Sequence, residues 1–249
     1  MPALALRGLV KRYDAKLAVA GIDLDVPVGS FFGLCGPNGA GKTTTLSMAV
    51  GLLRPDAGTA YVHGHDVWSD PVEAKRRLGV LPDGIRMFDR LSGSELLAYT
   101  GLLRGLPGDR VDARARDLLD VLDLADAGRT LVADYSAGMK KKIGLACALL
   151  HAPRLLVLDE PFEAVDPVSA ALIRDILQRY VRGGGTVIFS SHVMEVVSKL
   201  CTHVAIVAEG AIKTVGTLDA VRGGRDLEDV FVEVVGGRTA TGQELTWLS

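Results

Sequence analysis

The sequence Gly36-Pro-Asn-Gly-Ala-Gly-Lys-Thr43 has the spacing G-x-x-x-x-G-K-T, and it decides how the rest of the chain is interpreted. It directly follows the apolar run Phe31-Phe-Gly-Leu-Cys35, a candidate buried strand, and it leads into residues 43–50, whose pattern predicts a helix. Glycines let the backbone curl, so that several N–H groups and the positive end of the helix point at one anion. The stretch therefore predicts a phosphate-binding turn. The alternative is a glycine-rich turn that matches by chance in a chain with 29 glycines.

Each residue of this turn has a chemistry that fits a nucleotide. Lys42 can reach the outer phosphates, and Thr43 can offer its hydroxyl oxygen to Mg²⁺. The cradle around the phosphates consists of six residues: Gly36, Pro37, Asn38, Gly39, Ala40 and Gly41. The next two residues, Thr44 and Thr45, either extend the cradle or only pack the helix.

Composition restricts the classes of partner. The chain has 249 residues, of which 48% are hydrophobic, and this is enough for one large or two modest domains with a real core. Its 28 basic and 30 acidic residues leave a net charge of −2, so we expect no global electrostatic attraction to nucleic acid or to anionic lipid. Anion binding must therefore be local, and no nucleic-acid partner is predicted.

Cysteine spacing and hydropathy indicate where the chain works. Cys35, Cys147 and Cys201 are odd in number and far apart, which argues against a disulfide framework and against a CxxC metal site. The start of the chain, MPALALRGLVKRYD, has no basic segment followed by an apolar one, and no window of about 18 residues is free of charge. We therefore expect a cytoplasmic chain that neither is secreted nor spans a bilayer by itself.

Two further apolar runs, Leu155-Leu-Val-Leu158 and Thr186-Val-Ile-Phe-Ser190, alternate with helical patterns and end in polar residues. Fully apolar strands that alternate with helices predict a mostly parallel sheet that is covered on both faces. The sequence thus predicts an α/β fold.

The region before Leu155 has helical sequence patterns in place of apolar strands. Residues 94–103, 111–124 and 136–150 have helical patterns. In the second of these segments five apolar residues fall on one helix face: Val111, Ala115, Leu118, Leu119 and Leu122. We predict a helical insertion of about residues 85–152, joined to the sheet by loops that contain Gly and Pro. Residues 236–249 are expected to form a short, loosely ordered tail.

The strand that begins at Leu155 ends in two carboxylates, Asp159 and Glu160. Side chains alternate along a strand, so the two carboxylates cannot share one task. Asp159 suits the coordination shell of Mg²⁺, and Glu160 suits a residue that orients or deprotonates a water molecule. Two acids at a strand end are also commonly just solvated, although the neighbouring phosphate turn makes that reading weaker.

The strand that begins at Thr186 ends in Ser190-Ser-His192. We expect this strand to lie beside the other two, which would bring the ring of His192 to the edge of the sheet where ligands bind in folds of this type. His192 is therefore predicted to act at the terminal phosphate. A lone histidine is usually structural, and four others are assigned to that class: His63, His65, His151 and His203.

The order of these parts resembles that of a known family. The chain contains, in this order, the phosphate turn, the helical insertion, the run Tyr135-Ser-Ala-Gly-Met-Lys140, the two carboxylates, Asp166 and His192. This order resembles that of the nucleotide-binding domain of an ATP-binding cassette (ABC) transporter. The resemblance covers about residues 3–235. It implies a P-loop NTPase core with a mixed, mostly parallel sheet, an antiparallel β portion near the N-terminus and a helical subdomain.

The resemblance also implies roles for single residues. Tyr13 is similar to the aromatic residue that stacks on adenine, and Asp166 is similar to the loop aspartate that touches a partner subunit. Asp83 stands where the family usually has glutamine, and we expect its shorter, charged side chain to act on the ion through a bridging water. The alternative is that Leu81-Pro-Asp-Gly84 is a turn in which Asp83 serves only the turn.

The run Tyr135-Ser-Ala-Gly-Met-Lys140 occupies the position of the family's signature sequence. Among its departures from the usual LSGGQ are Tyr135 and Met139. This YSxGMK variant is similar to cassette ATPases that pair with separate membrane subunits of the exporter type.

Ser136 and Gly138 begin a predicted helix, whose dipole and free N–H groups favour an anion. The resemblance implies that they grip a phosphate held by Lys42 of another copy, so that two chains close head to tail around two ATP molecules. The alternative is a serine that only caps the helix. For the lysines at 140–142 we expect mostly solvated side chains.

The resemblance therefore implies an ATP-hydrolysing subunit, peripheral on the cytoplasmic face of the cell membrane, with ATP as substrate and Mg²⁺ as cofactor. Its partners would be a second copy or a paralogous ABC ATPase, and an integral membrane permease through which it powers transport in the direction of export. The expected catalytic residues are Glu160, His192 and Lys42, and the expected metal ligands are Thr43, Asp159 and Asp83.

Two other functions remain open at this point. The first is a soluble ABC-type ATPase that acts as a conformational clamp on the ribosome or on DNA, although such proteins usually have two cassettes in one chain or a long coiled-coil insertion. The second is a regulatory nucleotide-binding module without turnover. The intact Lys42, Asp159, Glu160 and His192 speak against that second function.

Overall fold

A computed structural model of the chain describes residues 1–84 and 87–236. The predicted tail therefore lies outside the described residues except for Gly236. The strands in the described residues are β1 Leu4–Tyr13, β2 Lys16–Val26, β3 Phe31–Cys35, β4 Ala57–Val62, β5 His65–Asp66, β6 Leu78–Leu81, β7 Leu155–Leu158, β8 Thr186–Ser191, β9 His203–Ala208 and β10 Ala211–Thr217. The α-helices there are α1 Lys42–Ala49, α2 Pro71–Arg76, α3 Gly93–Leu103, α4 Gly108–Val121, α5 Ala137–Leu149, α6 Pro167–Arg182, α7 Met194–Leu200, α8 Leu218–Arg222 and α9 Leu227–Val235.

The strands form two sheets. The smaller sheet is antiparallel, with the order β2-β1-β4-β5. The larger sheet has the order β10-β9-β3-β8-β7-β6; its pairs from β9 to β6 are parallel, and the edge strand β10 is antiparallel to β9. The predicted α/β fold, with a mixed, mostly parallel sheet and an antiparallel portion near the N-terminus, is confirmed.

The central strands of the larger sheet are apolar because both of their faces are buried. In β3, Phe31 and Cys35 belong to one hydrophobic core, whereas Phe32 and Leu34 belong to the other. The first core lies under helices α3 to α7, and the second lies between the larger sheet, α1 and the antiparallel sheet. The alternation of side chains along a strand thus divides one apolar run between two cores.

The helices predicted before Leu155 are present as α3, α4 and α5. The predicted apolar face of α4 is largely buried, while the rest of the helix carries charged residues. The exact bounds of the predicted helical insertion and of the domain at 3–235 stay predictions.

Several predicted helix ends were wrong, by one to three residues. Helix α3 begins at Gly93 because Ser92 caps it, and the Glu95 side chain accepts a hydrogen bond from the Ser92 N–H in return. Helix α4 runs from Gly108 to Val121, and Asp123 then adopts a left-handed φ of 54°, which no helix can continue through.

Strands β3, β8 and β7 are neighbours and run parallel, with Cys35 opposite Ser191 and Leu158 opposite Phe189. Their carboxyl ends therefore meet at one edge of the sheet. The phosphate turn, the two carboxylates and His192 follow these three ends, so the expected position of the His192 strand beside the other two is confirmed.

Candidate functional site

The turn between β3 and α1 is closely packed, and this explains two of its glycines. A Cβ atom at Gly36 would collide with the carbonyl oxygen of Val207, and one at Gly41 would collide with the carbonyl oxygen of Ala18. Gly41 also has a φ of 102°, a conformation that other residues rarely adopt. The turn can therefore curl over the sheet edge only because these positions lack side chains.

Lys42 is the cation at the centre of the turn. Its side chain is only 6% exposed, and its Nζ donates hydrogen bonds to the carbonyl oxygens of Gly36, at 2.7 Å, and of Pro37, at 3.3 Å. The same atom lies 3.5 Å from Oε1 of Glu160. A mostly buried ammonium group held by its own loop is available to exchange these acceptors for phosphate oxygens.

A cavity of about 470 Å³ opens beside the turn. Such a volume suits a drug-sized or nucleotide-sized ligand, since ligand pockets typically measure about 300–1,000 Å³. The predicted site residues that line it are Tyr13, Asn38, Gly39, Gly41, Lys42, Thr43, Thr44, Asp83, Glu160 and His192. The structure thus brings residues from five separate segments of the chain to one cavity.

Tyr13 ends β1 and contributes an aromatic ring to one wall of the cavity. The ring is about half exposed, and the Lys11 ammonium lies 5.9 Å from its centroid. A flat exposed ring is suited to stack on a base. Lys16, at the start of β2, lines the same cavity, and its Nζ lies 4.0 Å from the position of a Cβ at Gly39.

The two carboxylates after β7 have different contacts, as the alternation predicted. Asp159 accepts a hydrogen bond from the hydroxyl of the buried Ser190 and does not line the cavity. Glu160 faces the cavity, and its Oε1 lies 3.2 Å from Nδ1 of His192. The backbone N–H of Glu160 donates to the same Ser190 hydroxyl, at 2.8 Å.

His192 is placed for contact with a ligand. Its side chain is 38% exposed, it lines the cavity, and one ring nitrogen is close to Glu160. Two histidines assigned to the structural class have contacts that fit it: His65 contacts Asp70, and His151 contacts the carbonyl oxygen of Leu78. His192 therefore differs from these two histidines in its position at the sheet edge.

Side-chain oxygen atoms of the kind that Mg²⁺ prefers lie near the turn. The Thr43 hydroxyl and the Asp83 carboxylate line the cavity, and the Asp159 carboxylate lies at the neighbouring strand end. Hard oxygen ligands, used one or two at a time with phosphate oxygens, are those that Mg²⁺ prefers in proteins. Their roles as metal ligands stay predictions.

The thiol next to the turn has no part in this chemistry. Burial raises the pKa of the Cys35 thiol to about 12, although the nearby Lys42 acts in the opposite direction. Cys35 therefore stays protonated at neutral pH and serves as a small apolar side chain of the core.

The signature residues lie together at a place that does not line the cavity. Ser136 caps α5 by accepting a hydrogen bond from the Met139 N–H, at 3.2 Å. Asp166 caps α6 by accepting a hydrogen bond from the Ser169 N–H, and this hydrogen bond holds the pKa of the Asp166 carboxyl group below its ordinary value. A Cβ placed on Gly138 would be 3.2 Å from Oδ2 of Asp166, so the two helix starts are adjacent.

The expectation of solvated lysines at 140–142 was wrong for two of the three. Lys142 is buried, with its Nζ 3.6 Å from Asp123. The Nζ of Lys141 donates to the carbonyl oxygen of Glu160, at 2.8 Å, and lies 3.6 Å from Oδ1 of Asp83. Helix α5 is buried on most of its surface, so these long side chains run along it to reach polar partners.

Sequence reasoning missed several residues of the site. The Ser190 hydroxyl contacts the carboxylate of Asp159 and the backbone N–H of Glu160, Lys141 contacts the Glu160 carbonyl oxygen, and Lys16 and Glu163 line the cavity. Ser190 and Lys141 are 30 and 19 residues distant from Glu160 in the chain, so no local pattern reveals their contacts. Thr45, which was open between two roles, is buried and bonds its hydroxyl to the carbonyl oxygen of Gly41.

Asp83 lies in a turn, as one interpretation of the sequence expected, while its action on the ion stays a prediction. The turn follows β6, and Asp83 also lines the cavity with about half of its side chain exposed.

Within the described ranges 1–84 and 87–236, no helix combines the length and the apolar character that crossing a membrane requires.

Comparison with known proteins agrees with this geometry. The sequence model of the family described as "ABC transporter" matches residues 19–163. The chain is 40% identical over 215 residues to the "Daunorubicin/doxorubicin resistance ATP-binding protein DrrA" of Streptomyces peucetius, covering 86% of this chain and 65% of that protein. It is 36% identical over 214 residues to the "Linearmycin resistance ATP-binding protein LnrL" of Bacillus subtilis, covering 86% of this chain and 69% of that one.

A solved structure is also similar. The structure titled "Structure of ATP binding subunit of ABC transporter" superimposes with a TM-score of 0.86 at 27% sequence identity. The match covers 93% of this chain and 99% of the solved chain.

Proposed function

Because the chain belongs to the ABC transporter family of ATP-binding proteins, we propose that it hydrolyses ATP to drive export of a small molecule through a separate membrane subunit. The resemblance inferred from the sequence is confirmed by the family match, and with it the assignment as an ABC ATP-binding subunit and ATPase. The cargo, the direction of transport and the partners are the proposed part. The observation that carries the proposal is the meeting of Lys42, Glu160 and His192 at one cavity.

The cavity offers suitable groups for both the base and the phosphates of ATP. The exposed ring of Tyr13 offers a stacking surface for adenine, and the turn at Gly36 to Thr43 offers N–H groups and the Lys42 ammonium for the phosphates. Lys16, on the wall beside Gly39, adds a second positive charge near the phosphate chain. Binding requires Lys42 to exchange the carbonyl oxygens of its own loop for phosphate oxygens.

The catalytic groups then act in distinct roles. Glu160 faces the cavity and accepts a hydrogen bond from the attacking water, which it orients toward the γ-phosphorus. His192, 3.2 Å from the Glu160 carboxylate, is within reach of the same phosphate and helps to hold it in line. Lys42 stabilises the charge that develops on the transferred group.

The cofactor site uses oxygen donors at the edge of this cavity. Thr43, Asp83 and Asp159 would hold Mg²⁺, which when bound neutralises charge on the outer phosphate oxygens. The hydrogen bond from Ser190 to Asp159 fixes the orientation of one of these carboxylates before the ion binds.

The membrane partner has a suitable surface on the helical region. Met87, Phe88, Leu91 and Tyr99 line a shallow apolar pocket, in which the Phe88 and Tyr99 rings pack edge to face with centroids 5.1 Å apart. Both rings are about half exposed, and Leu102 and Leu103 at the end of α3 are largely exposed. Exposed apolar surface of this kind marks interaction sites. Its position shortly after Asp83 in the chain would link the partner to the nucleotide cavity and anchor the chain at the cytoplasmic face of the membrane.

A second copy of the chain, or a paralogous subunit, would complete each site. Ser136, Gly138 and Asp166 lie off the cavity of their own chain. The exposed start of α5 has N–H groups that suit a phosphate oxygen, so these residues become useful when another copy presents its nucleotide. Two chains arranged head to tail would supply each other in this way.

The direction of transport is inferred from the relatives. The two similar proteins named above are described as resistance ATP-binding proteins, for daunorubicin and doxorubicin in one case and for linearmycin in the other. Resistance of this kind is consistent with export, and we assign the same direction to this chain.

The proposal is tested with the substitution Glu160→Gln. It removes the negative charge that orients the water but leaves the phosphate cradle intact, so ATP should bind with little change while turnover falls by at least about a hundredfold. Nucleotide binding is titrated and steady-state phosphate release is measured on membranes that contain the chain with its partners. Glu195→Gln changes an exposed carboxylate on α7 that does not line the cavity, and it controls for the loss of one negative charge.

Near-normal turnover by Glu160→Gln would remove Glu160 from its role. A wild-type chain that binds ATP and never turns it over would favour the regulatory function. Co-purification of ribosomal proteins in place of an integral membrane protein would favour the clamp.

A further inference from the structure

We infer that Lys141 is a positioning residue for hydrolysis, which holds the backbone of Glu160 and joins it to Asp83. The inference rests on the proposed function, because it assumes that Glu160 orients the attacking water. The sequence alone predicted a solvated side chain for Lys141 and therefore no such role.

The backbone of Glu160 needs support from its surroundings. Glu160 has a left-handed φ of 45°, although it carries a side chain. A non-glycine residue in this conformation is strained and persists only where neighbouring contacts hold it. Its N–H donates to Ser190 Oγ at 2.8 Å, and its carbonyl oxygen accepts from Lys141 Nζ at 2.8 Å and from the Glu163 N–H at 3.2 Å.

Lys141 is placed to give that support. Its side chain is 15% exposed, so its ammonium group depends on protein partners in place of water. The partners are the Glu160 carbonyl oxygen and, 3.6 Å away, Oδ1 of Asp83. One partly buried cation thus bridges the loop after β6 and the loop after β7, and both loops line the cavity.

The neighbouring lysines do not share this position. Lys140 donates to the carbonyl oxygen of Ala133, and Lys142 lies near Asp123, away from the cavity. Because α5 carries three lysines in sequence, the chain offers a matched comparison in which the same chemical change is made one residue apart.

The consequence concerns the orientation of the Glu160 carboxylate. When Lys141 is replaced, the Glu160 carbonyl loses its charged donor, and the peptide can relax away from the left-handed conformation. The carboxylate would then no longer be held between Lys42 and His192. Nucleotide affinity depends mainly on the turn and on Lys42, so the effect should fall on kcat and not on KM.

The experiment compares the full chain with Lys141→Met, Lys141→Arg and Lys140→Met. Methionine keeps the length of the lysine side chain and removes its donor, so Lys141→Met should lower kcat by about tenfold, which corresponds to about 1.4 kcal/mol of transition-state stabilisation. KM for ATP should change by less than about twofold. Lys141→Arg, which keeps the charge and the donor, should restore kcat to within about threefold of wild type, and Lys140→Met should leave it within about twofold.

Measurement of thermal unfolding midpoints for all variants separates positioning from general stability. If Lys141→Met is too unstable to assay, Lys141→Gln replaces it, since glutamine remains polar but is too short to reach the carbonyl oxygen. A kcat for Lys141→Met within twofold of wild type, or an equal loss in Lys140→Met, would overturn the inference.

The reference variant Glu160→Gln is measured in the same series. If Glu160→Gln is inactive while Lys141→Met is normal, the inference about Lys141 fails and the proposed function stands. If Glu160→Gln hydrolyses ATP normally, the proposed role of Glu160 itself is wrong.

Discussion

Ser190 offers the sharpest test of how the site is held together. Its hydroxyl is fully buried, donates to Asp159 and accepts from the backbone N–H of Glu160. In Ser190→Ala both hydrogen bonds disappear, and each leaves a polar group in the interior. Ser191→Ala is the matched control, because the Ser191 hydroxyl accepts a hydrogen bond from the Val193 N–H, a contact only two residues along the chain.

The magnitude follows from these contacts. An unsatisfied buried N–H costs about 1–3 kcal/mol, and loss of a hydrogen bond to a charged carboxylate costs about as much. We therefore expect Ser190→Ala to lower the free energy of unfolding by about 3 kcal/mol, against about 1 kcal/mol for Ser191→Ala. For a chain of this size each kcal/mol corresponds to a shift in Tm of roughly 2–4 °C, so the Tm of Ser190→Ala should fall by roughly 6–12 °C.

The assay is calorimetric unfolding of the wild type and both variants without nucleotide, with urea unfolding as an independent measure. A gap of about 2 kcal/mol between the two alanine variants supports the two-contact role of Ser190. Equal unfolding free energies, within about 0.5 kcal/mol, would refute it, because Ser190 would then behave as an ordinary buried hydroxyl.

Two other predictions concern pH and assembly. Burial, aided by the nearby Arg104 charge, lowers the pKa of His151 from 6.5 to about 4, so the unfolded chain takes up the proton first as the pH falls and the unfolding free energy should drop between about pH 6.5 and 4. In His151→Gln that part of the pH dependence should disappear from unfolding curves measured across the range, and a slope equal to that of the wild type would contradict it. For assembly, mixing Lys42→Ala chains with Ser136→Arg chains should restore part of the ATPase activity, because one of the two composite sites in a mixed dimer contains neither change. Turnover and size-exclusion measurements on the mixture decide this, and complete inactivity of demonstrated mixed dimers would count against composite sites.

The elements that could be predicted from the sequence are those with a local signal. Phe31–Cys35 and Leu155–Leu158 have the predicted bounds, because each is apolar throughout and is followed at once by a polar or glycine-rich segment. Strands β1 and β2 gave no comparable signal, since their residues alternate irregularly between buried and exposed positions. Their pairing also contains register shifts, which break the two-residue period on which strand prediction depends.

The site divides in the same way. The turn at Gly36 to Thr43 is contiguous, so its sequence specifies its geometry, whereas the support of Glu160 comes from Ser190 and Lys141, which only the folded sheet brings close. The lysines illustrate the limit most clearly. A run of three lysines reads as a solvated surface, but α5 buries most of its circumference, so the fold and not the residue type decides which lysine reaches the site.

Helix α5 links the signature residues at its start to the backbone of Glu160. Its first turn, capped by Ser136, is the part that we propose to meet the nucleotide of another copy, and Lys141 lies about 7.5 Å further along the axis. Because a helix is stiff over this length, closure of the proposed dimer on the start of α5 would also move the ammonium group that contacts the Glu160 carbonyl oxygen. Asp83, where the family usually has glutamine, places a carboxylate 3.6 Å from the ammonium group of Lys141. The aspartate and the lysine therefore act as a pair in this proposal, and through them closure of one composite site would shift the Glu160 carboxylate of the other.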